Sequence, residues 1–201
     1  MFKQIVKFSL TGLLIIPLTA LAVDDAWMRS YSLEANGQYN DAAKTIEKFL
    51  KQIPDNEFAE LRSGWLYYLA GNYSRSITHY QTALKLNSQS IEARLGLTLP
   101  LMAQGRWREA AIESQEVIKL SKWNYYAHVR LMACEEALRQ WDELVKHAQE
   151  VHSHYPGDAT VLVYAARAYK QTGNTAKAKS MYNEVLIRVP GHIEASRFMV
   201  E

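Results

Sequence analysis

An all-α solenoid of five 34-residue helix-turn-helix units is the fold this sequence predicts, on three observations. First, Gly37, Gly71, Gly105, Arg139 and Gly173 stand at one interval, since 71 − 37, 105 − 71, 139 − 105 and 173 − 139 all equal 34. A fixed period of that size marks stacked supersecondary units, each too small to bury its own apolar face. Second, other positions keep the same phase: Tyr39, Tyr73, Trp107, Trp141 and Thr175 each follow a register residue by two. Third, no segment shows the strict apolar–polar alternation of a half-buried strand.

Taken from the N-terminus, residues 1–22 read as a cleavable signal peptide. Lys3 and Lys7 supply a positive start, an apolar run extends from Leu10 to Leu18, and Ala20-Leu21-Ala22 offers the small-x-small pattern of a cleavage site. That run is well short of the roughly 20 residues of a membrane-spanning helix. Cleavage after Ala22 leaves Val23, where the first repeat begins, so the expected location is the periplasm, with no direct membrane span once the leader is removed. The five units then fall at 23–56, 57–90, 91–124, 125–158 and 159–190, and residues 191–201 form a C-terminal cap.

Within each unit the slots have physical roles. Seven residues before the register position stand Ser30, Gly64, Thr98, Met132 and Ala166, and five after it Ala42, Ser76, Ala110, Leu144 and Ala178. Small side chains at these facing slots let two helices approach closely. The register glycine ends the first helix in a left-handed conformation, and the aromatic two residues later wedges into the turn. Leu50, Leu84, Ile118 and Leu186 continue the apolar face of the second helix, which Pro54, Pro156 and Pro190 close in three units. The fourth unit departs, with Arg139 in place of glycine and both small slots taken by Met132 and Leu144. A slightly wider helix spacing there is the favoured expectation, and a local change of superhelical pitch the alternative. Ile193 to Val200 is expected to form a short amphipathic helix covering the exposed end of the stack.

The pattern Gly64-x-x-Tyr67-x-x-x-Gly71-x-Tyr73-x-x-Ser76, and its partner Gly105-x-Trp107-x-x-Ala110, resembles the tetratricopeptide repeat over about residues 23 to 190. That resemblance implies antiparallel helix pairs wound into a right-handed α-solenoid, the first helix of each pair lining a concave surface. It also implies a scaffold that binds other proteins. For an exported member it implies work in secretion, pilus, outer-membrane or cell-wall assembly.

On the first helices, positions thirteen, ten, six and three before the register residue share one face. This face is unusually apolar: Trp27, Tyr31, Phe58, Leu61, Trp65 and Tyr68 form an aromatic stretch at the N-terminal half, continued by Leu99 and Met102. Arg167 and Lys170 add positive charge at the far end. A contiguous exposed apolar face marks a binding surface, and this one suits a peptide or amphipathic helix of an envelope protein. Short solenoids curve tightly, so part of this aromatic stretch is alternatively core. The lysine and asparagine side chains with which some tetratricopeptide proteins hold a terminal carboxylate are absent, since Trp27, Tyr31, Leu61, Trp65 and Leu95 stand there. A carbohydrate-stacking accessory of an export machine and a self-associating module, with a homo-oligomer built on the same patch, are the alternative readings.

Charge and motifs exclude other classes. The chain holds 23 basic and 21 acidic residues; removing Lys3 and Lys7 leaves 23 − 2 = 21 of each, so the basic excess of a nucleic-acid binder is missing. No phosphate loop, serine elbow or His-Glu-x-x-His motif occurs, and adjacent pairs such as Glu135-Glu136 point apart on a helix. An enzyme is not expected, nor is a cofactor or a metal. His152-x-His154 reads as a solvated pair and the lone Cys134 as core packing.

Overall fold

The computed structural model describes residues 18–200, with side-chain surroundings from Asp25 onward. Among these residues it is all helical. The five units are α1 (Leu18–Ala35) with α2 (Tyr39–Gln52), α3 (Glu57–Leu69) with α4 (Tyr73–Leu86), α5 (Ile91–Ala103) with α6 (Trp107–Leu120), α7 (Tyr125–Ala137) with α8 (Trp141–His154), and α9 (Ala159–Gln171) with α10 (Thr175–Arg188); α11 (Ile193–Val200) follows. The leader residues before Leu18 lie outside the described residues, and α1 runs through the expected boundary between Ala22 and Val23. No helix of the described residues is long and apolar enough to cross a membrane.

The helix starts repeat at 34 residues because the local chemistry repeats. Asn56, Ser90, Asn124 and Asp158 each accept a hydrogen bond from the backbone N–H three residues on, satisfying an otherwise orphaned donor. His192 does the same for Ala195 through Nδ1, at 3.2 Å, so α11 is capped in phase and occupies the first-helix position of a sixth unit. The register glycines close the first helices at φ between 71° and 79°, and Arg139 adopts φ 58° in the same role. Each closure is hydrogen-bonded alike: Gly71 N–H to Tyr68 C=O and Asn72 N–H to Tyr67 C=O in the second unit, Arg139 N–H to Glu136 C=O and Gln140 N–H to Glu135 C=O in the fourth.

One helix departs from what its composition predicts. Pro100 lies inside α5, which nevertheless continues to Ala103. A proline there removes one ladder bond and crowds the carbonyl four residues back, which belongs to Gly96.

Packing sets the curvature. Successive first helices α3, α5, α7 and α9 approach one another closely, whereas each second helix packs mainly against its neighbours in sequence. The first helices therefore line the inside of the curve. In the second unit the Ser76 hydroxyl donates to the Gly64 carbonyl at 2.7 Å, and the buried Tyr80 ring lies against both Gly64 and Gly96. In the fourth unit Met132 and Leu144 are fully buried in the corresponding slots, and α7 and α8 make the sparsest backbone approach of any pair within a unit. The spacing is wider there, while the turn and the helix lengths are kept.

Candidate partner-binding groove

The aromatic and aliphatic residues expected on the inner face separate into two sets. Tyr31, Phe58 and Trp65 are 49%, 56% and 37% exposed. Trp27, Leu61, Tyr68, Leu99 and Met102 are partly buried, with Trp27 packed on the first core cluster and Leu61 and Met102 on the cluster around Tyr80. Trp27 serves as a floor: it stacks on Phe58 at 4.9 Å and meets Phe49 edge-on at 5.5 Å. Trp65 lies 5.8 Å from Tyr68, which in turn lies 6.0 Å from Tyr73, so the aromatic surface runs from α1 across α3 to the start of α4. Tyr126 on α7 is 64% exposed and extends this row into the fourth unit.

A polar frame holds these rings. Arg62 of α3 reaches back to α1, pairing with Glu34 at 2.5 Å and donating to the Ser30 hydroxyl at 3.3 Å, with its guanidinium 3.9 Å above the Tyr31 ring. The second oxygen of Glu34 accepts from Trp65 Nε1 at 2.8 Å. Glu34 thus holds the exposed Trp65 directly and, through Arg62, the guanidinium that covers the exposed Tyr31, which lowers the entropy a partner would have to remove.

Arg130 occupies the slot of Arg62 two units later, 62 + 68 = 130. It donates to the Leu95 carbonyl and, at 2.8 Å, to the Thr98 hydroxyl. Neither arginine falls on the row of positions that marks the inner face, so the amphipathic pattern missed both. Their recurrence in one repeat slot is the signal that could have found them.

The far end is built differently. Arg167 forms a double hydrogen bond with Glu194 of α11, at 2.8 and 2.6 Å, and pairs with Glu136 of α7 at 3.2 Å. Tyr182 also donates to Glu194, at 2.6 Å. Hydrogen bonding to Arg167 holds the Glu194 carboxyl below the usual carboxylate range, and burial pushes the Tyr182 phenol up. Lys170 lies over the Phe198 ring at 5.0 Å. These groups line a cleft of about 370 Å³ together with Trp141 and Arg197. The charge of Arg167, read from the sequence as positive charge at the end of the groove, is thus neutralised by two carboxylates, and its pairing with Glu194 fastens α11 to the stack.

On the other side of the fourth unit His128 Nε2 donates to the Lys122 carbonyl at 2.8 Å, leaving Nδ1 to face His147 Nε2 at 2.9 Å. His147 Nδ1 donates to Glu135 at 2.9 Å, so the contact between the two imidazoles becomes a hydrogen bond only with a further proton on one of the two facing nitrogens. His154 is exposed, as expected, and stacks one ring face on Trp123 at 4.1 Å. Burial pushes the Cys134 thiol up to about 12, which makes it a packing group and a poor nucleophile.

Comparison with known proteins follows the same lines. A family model described as anaphase-promoting complex (cyclosome) subunit 3 matches residues 35–115, and one described as tetratricopeptide repeat matches residues 160–192. Anaphase-promoting complex subunit 7 of Homo sapiens and that of Mus musculus are each 28% identical over 134 residues, covering 66% of this chain and 24% of the relative. The chain therefore spans about a quarter of the length of these curated relatives. Among solved structures, a tetratricopeptide repeat protein from Parabacteroides merdae superposes with TM-score 0.81 at 12% identity, covering 89% of this chain and 71% of that one. The MamA protein gives 0.76 at 19% identity, covering 84% and 92%. YrrB, described as a protein with an unusual peptide-binding site, gives 0.75 at 18% identity, covering 90% and 96%. At these identities the likeness is one of fold.

Proposed function

The chain is a tetratricopeptide-repeat protein, and we propose that it is a non-catalytic scaffold holding a peptide or amphipathic helix of another protein in its concave groove. The observation that carries this reading is the run of exposed aromatics Tyr31, Phe58, Trp65 and Tyr126 along one face of the first helices, floored by Trp27 and pre-positioned by Arg62 and Glu34. Rigid aromatic surface with a fixed polar frame suits protein recognition, because large contact area is gained at little conformational cost. The peptide-binding site named for YrrB, a protein of like fold, supports the same reading.

The setting we propose is the periplasm, and the process the assembly of an envelope complex. Lys3, Lys7, the apolar run and Ala20-Leu21-Ala22 support export with cleavage after Ala22. The mass of the mature protein purified from its host tests this directly, since an intact residue 1 would exclude cleavage.

A photo-crosslinking residue at position 126, in the groove, and another at Lys85, exposed on α4, test the binding reading in the native host. A discrete protein adduct at 126 that Trp65→Ala abolishes is the expected result. Adducts from Lys85 alone would move the binding surface to the second helices and overturn the proposal.

A further inference from the structure

The two arginines that share a repeat slot differ in one respect. Arg62 has a complete set of partners in the preceding unit: the Ser30 hydroxyl, seven residues before its register glycine, and the Glu34 carboxylate, three before it. Arg130 finds the same hydroxyl slot filled by Thr98, at 2.8 Å. The slot of Glu34, however, is occupied there by Met102. Its other hydrogen-bond partner is the Leu95 carbonyl, and the phenols of Tyr68, Tyr80 and Tyr126 lie within electrostatic reach. No carboxylate of the described residues pairs with it, whereas Arg62 and Arg94 each have one and Arg167 has two. Burial pushes the Arg130 guanidinium down from its usual range, as expected for a partly desolvated cation without a counter-charge.

We infer that the groove recognises an acidic segment, whose internal Asp or Glu side chain sits above Met102 and pairs with Arg130, as Glu34 pairs with Arg62. This rests on the groove reading and adds to it the chemistry of the partner. The repeat itself supplies the template: one arginine, one hydroxyl and one carboxylate, complete between the first and second units and lacking its carboxylate between the third and fourth. The site lies mid-groove, with Tyr68 on one side and the exposed Tyr126 on the other, so a partner crosses it and an internal side chain fits better than a chain end. A carboxylate placed there gains a charge-assisted hydrogen bond in a partly water-excluded setting.

The test is a selection of random 16-residue peptides displayed through their C-termini against the intact protein, followed by synthesis of the binders as C-terminal amides and as free acids. Expected are binders that Trp65→Ala no longer holds, that carry an Asp or Glu at one fixed position, and that weaken about tenfold or more when it becomes Asn or Gln. Arg130→Gln should abolish that difference. Met102→Glu, which supplies the carboxylate from within and leaves Arg130 in place, should weaken the acidic peptide to the same degree. Trp65-dependent binders with no acidic position, binders indifferent to Met102→Glu, or binding that requires a free C-terminus would overturn the inference and leave the groove reading standing. A selection that yields no Trp65-dependent binder would remove both.

Discussion

In the second unit Gly64 and Ser76 draw α3 and α4 together through a 2.7 Å hydrogen bond, while in the fourth Met132 and Leu144 fill the same two slots and hold α7 and α8 apart. The turn is indifferent to this change. Gly71 and Arg139 close their helices with the same pair of backbone hydrogen bonds, and both units keep helices of 13 and 14 residues. Nine residues after the register position the compensation becomes visible. The second unit has Tyr80 there, the fourth has Ala148, and both are buried. Bulk removed from one position is restored at two others, so the interior stays filled. What the repeat conserves is the phase of the turn and the summed volume between helices, not the identity of any slot.

The sharpest way to break this comparison is to move bulk without its compensation. Tyr80→Ala should cost about 4 kcal/mol, the ordinary loss for a buried aromatic. Gly64→Met, which imports the side chain of the fourth unit against a ring 3.0 Å from the new Cβ, should cost about 3 kcal/mol. The two together should cost less than their sum by at least about 1 kcal/mol, because each makes room for the other. Urea denaturation of the four chains measures the cycle, and simple additivity would show that the slots do not exchange volume. In the fourth unit the mirror experiment is Met132→Ala, which restores a small residue and is nonetheless expected to destabilise by about 2 kcal/mol through the cavity it leaves. A stabilised variant would instead mean that α7 and α8 close up.

Arg139 sharpens the comparison in the opposite direction. At φ 58° it carries a Cβ where the other four units have glycine. Arg139→Gly should stabilise the protein by about 1 kcal/mol, since the left-handed penalty outweighs the extra freedom glycine gains on unfolding. The side chain is exposed and no ion pair of the described residues depends on it, so the change in denaturation midpoint reads the backbone term almost alone.

These differences explain what the sequence made legible. The 34-residue phase, the turns, the helix pairs and the capping helix over Ile193 to Val200 follow from local chemistry, which one chain displays completely. The aromatic face was legible because its residues lie on one helical row. Its division into exposed rings and a buried floor was not, because that depends on how tightly the first helices converge. Arg62 and Arg130 were missed since each reaches across to the preceding unit from a neighbouring row, and Arg167 was read as a free charge because its partner Glu194 belongs to a helix beyond the fifth unit. Volume compensation between Gly64 and Tyr80, or Met132 and Ala148, needs three slots read at once.

The smallest expected effect is confined to the fourth unit and depends on pH. In the second unit the imidazole of His79 meets carboxylates, Glu60 at 2.6 Å and Glu47 at 3.3 Å. Its counterpart place in the fourth unit holds His147, which meets a second imidazole, His128, at 2.9 Å. Burial pushes the His128 imidazole below its ordinary value; the Lys122 carbonyl and Glu150 act against this, and His147 and His154 act with it. Glu135 lies behind His147 and does not touch His128. Because the folded value is the lower one, the unfolded chain binds the proton more readily, and stability falls as pH drops through and below about 6.5. Thermal denaturation between pH 8 and pH 5 should therefore show a loss on acidification that is smaller in His128→Gln, with hydrogen exchange rising first in α7 and α8. An unchanged profile in His128→Gln would place the acid sensitivity elsewhere, and exchange rising first in α3 and α4 would reverse the order of the two units.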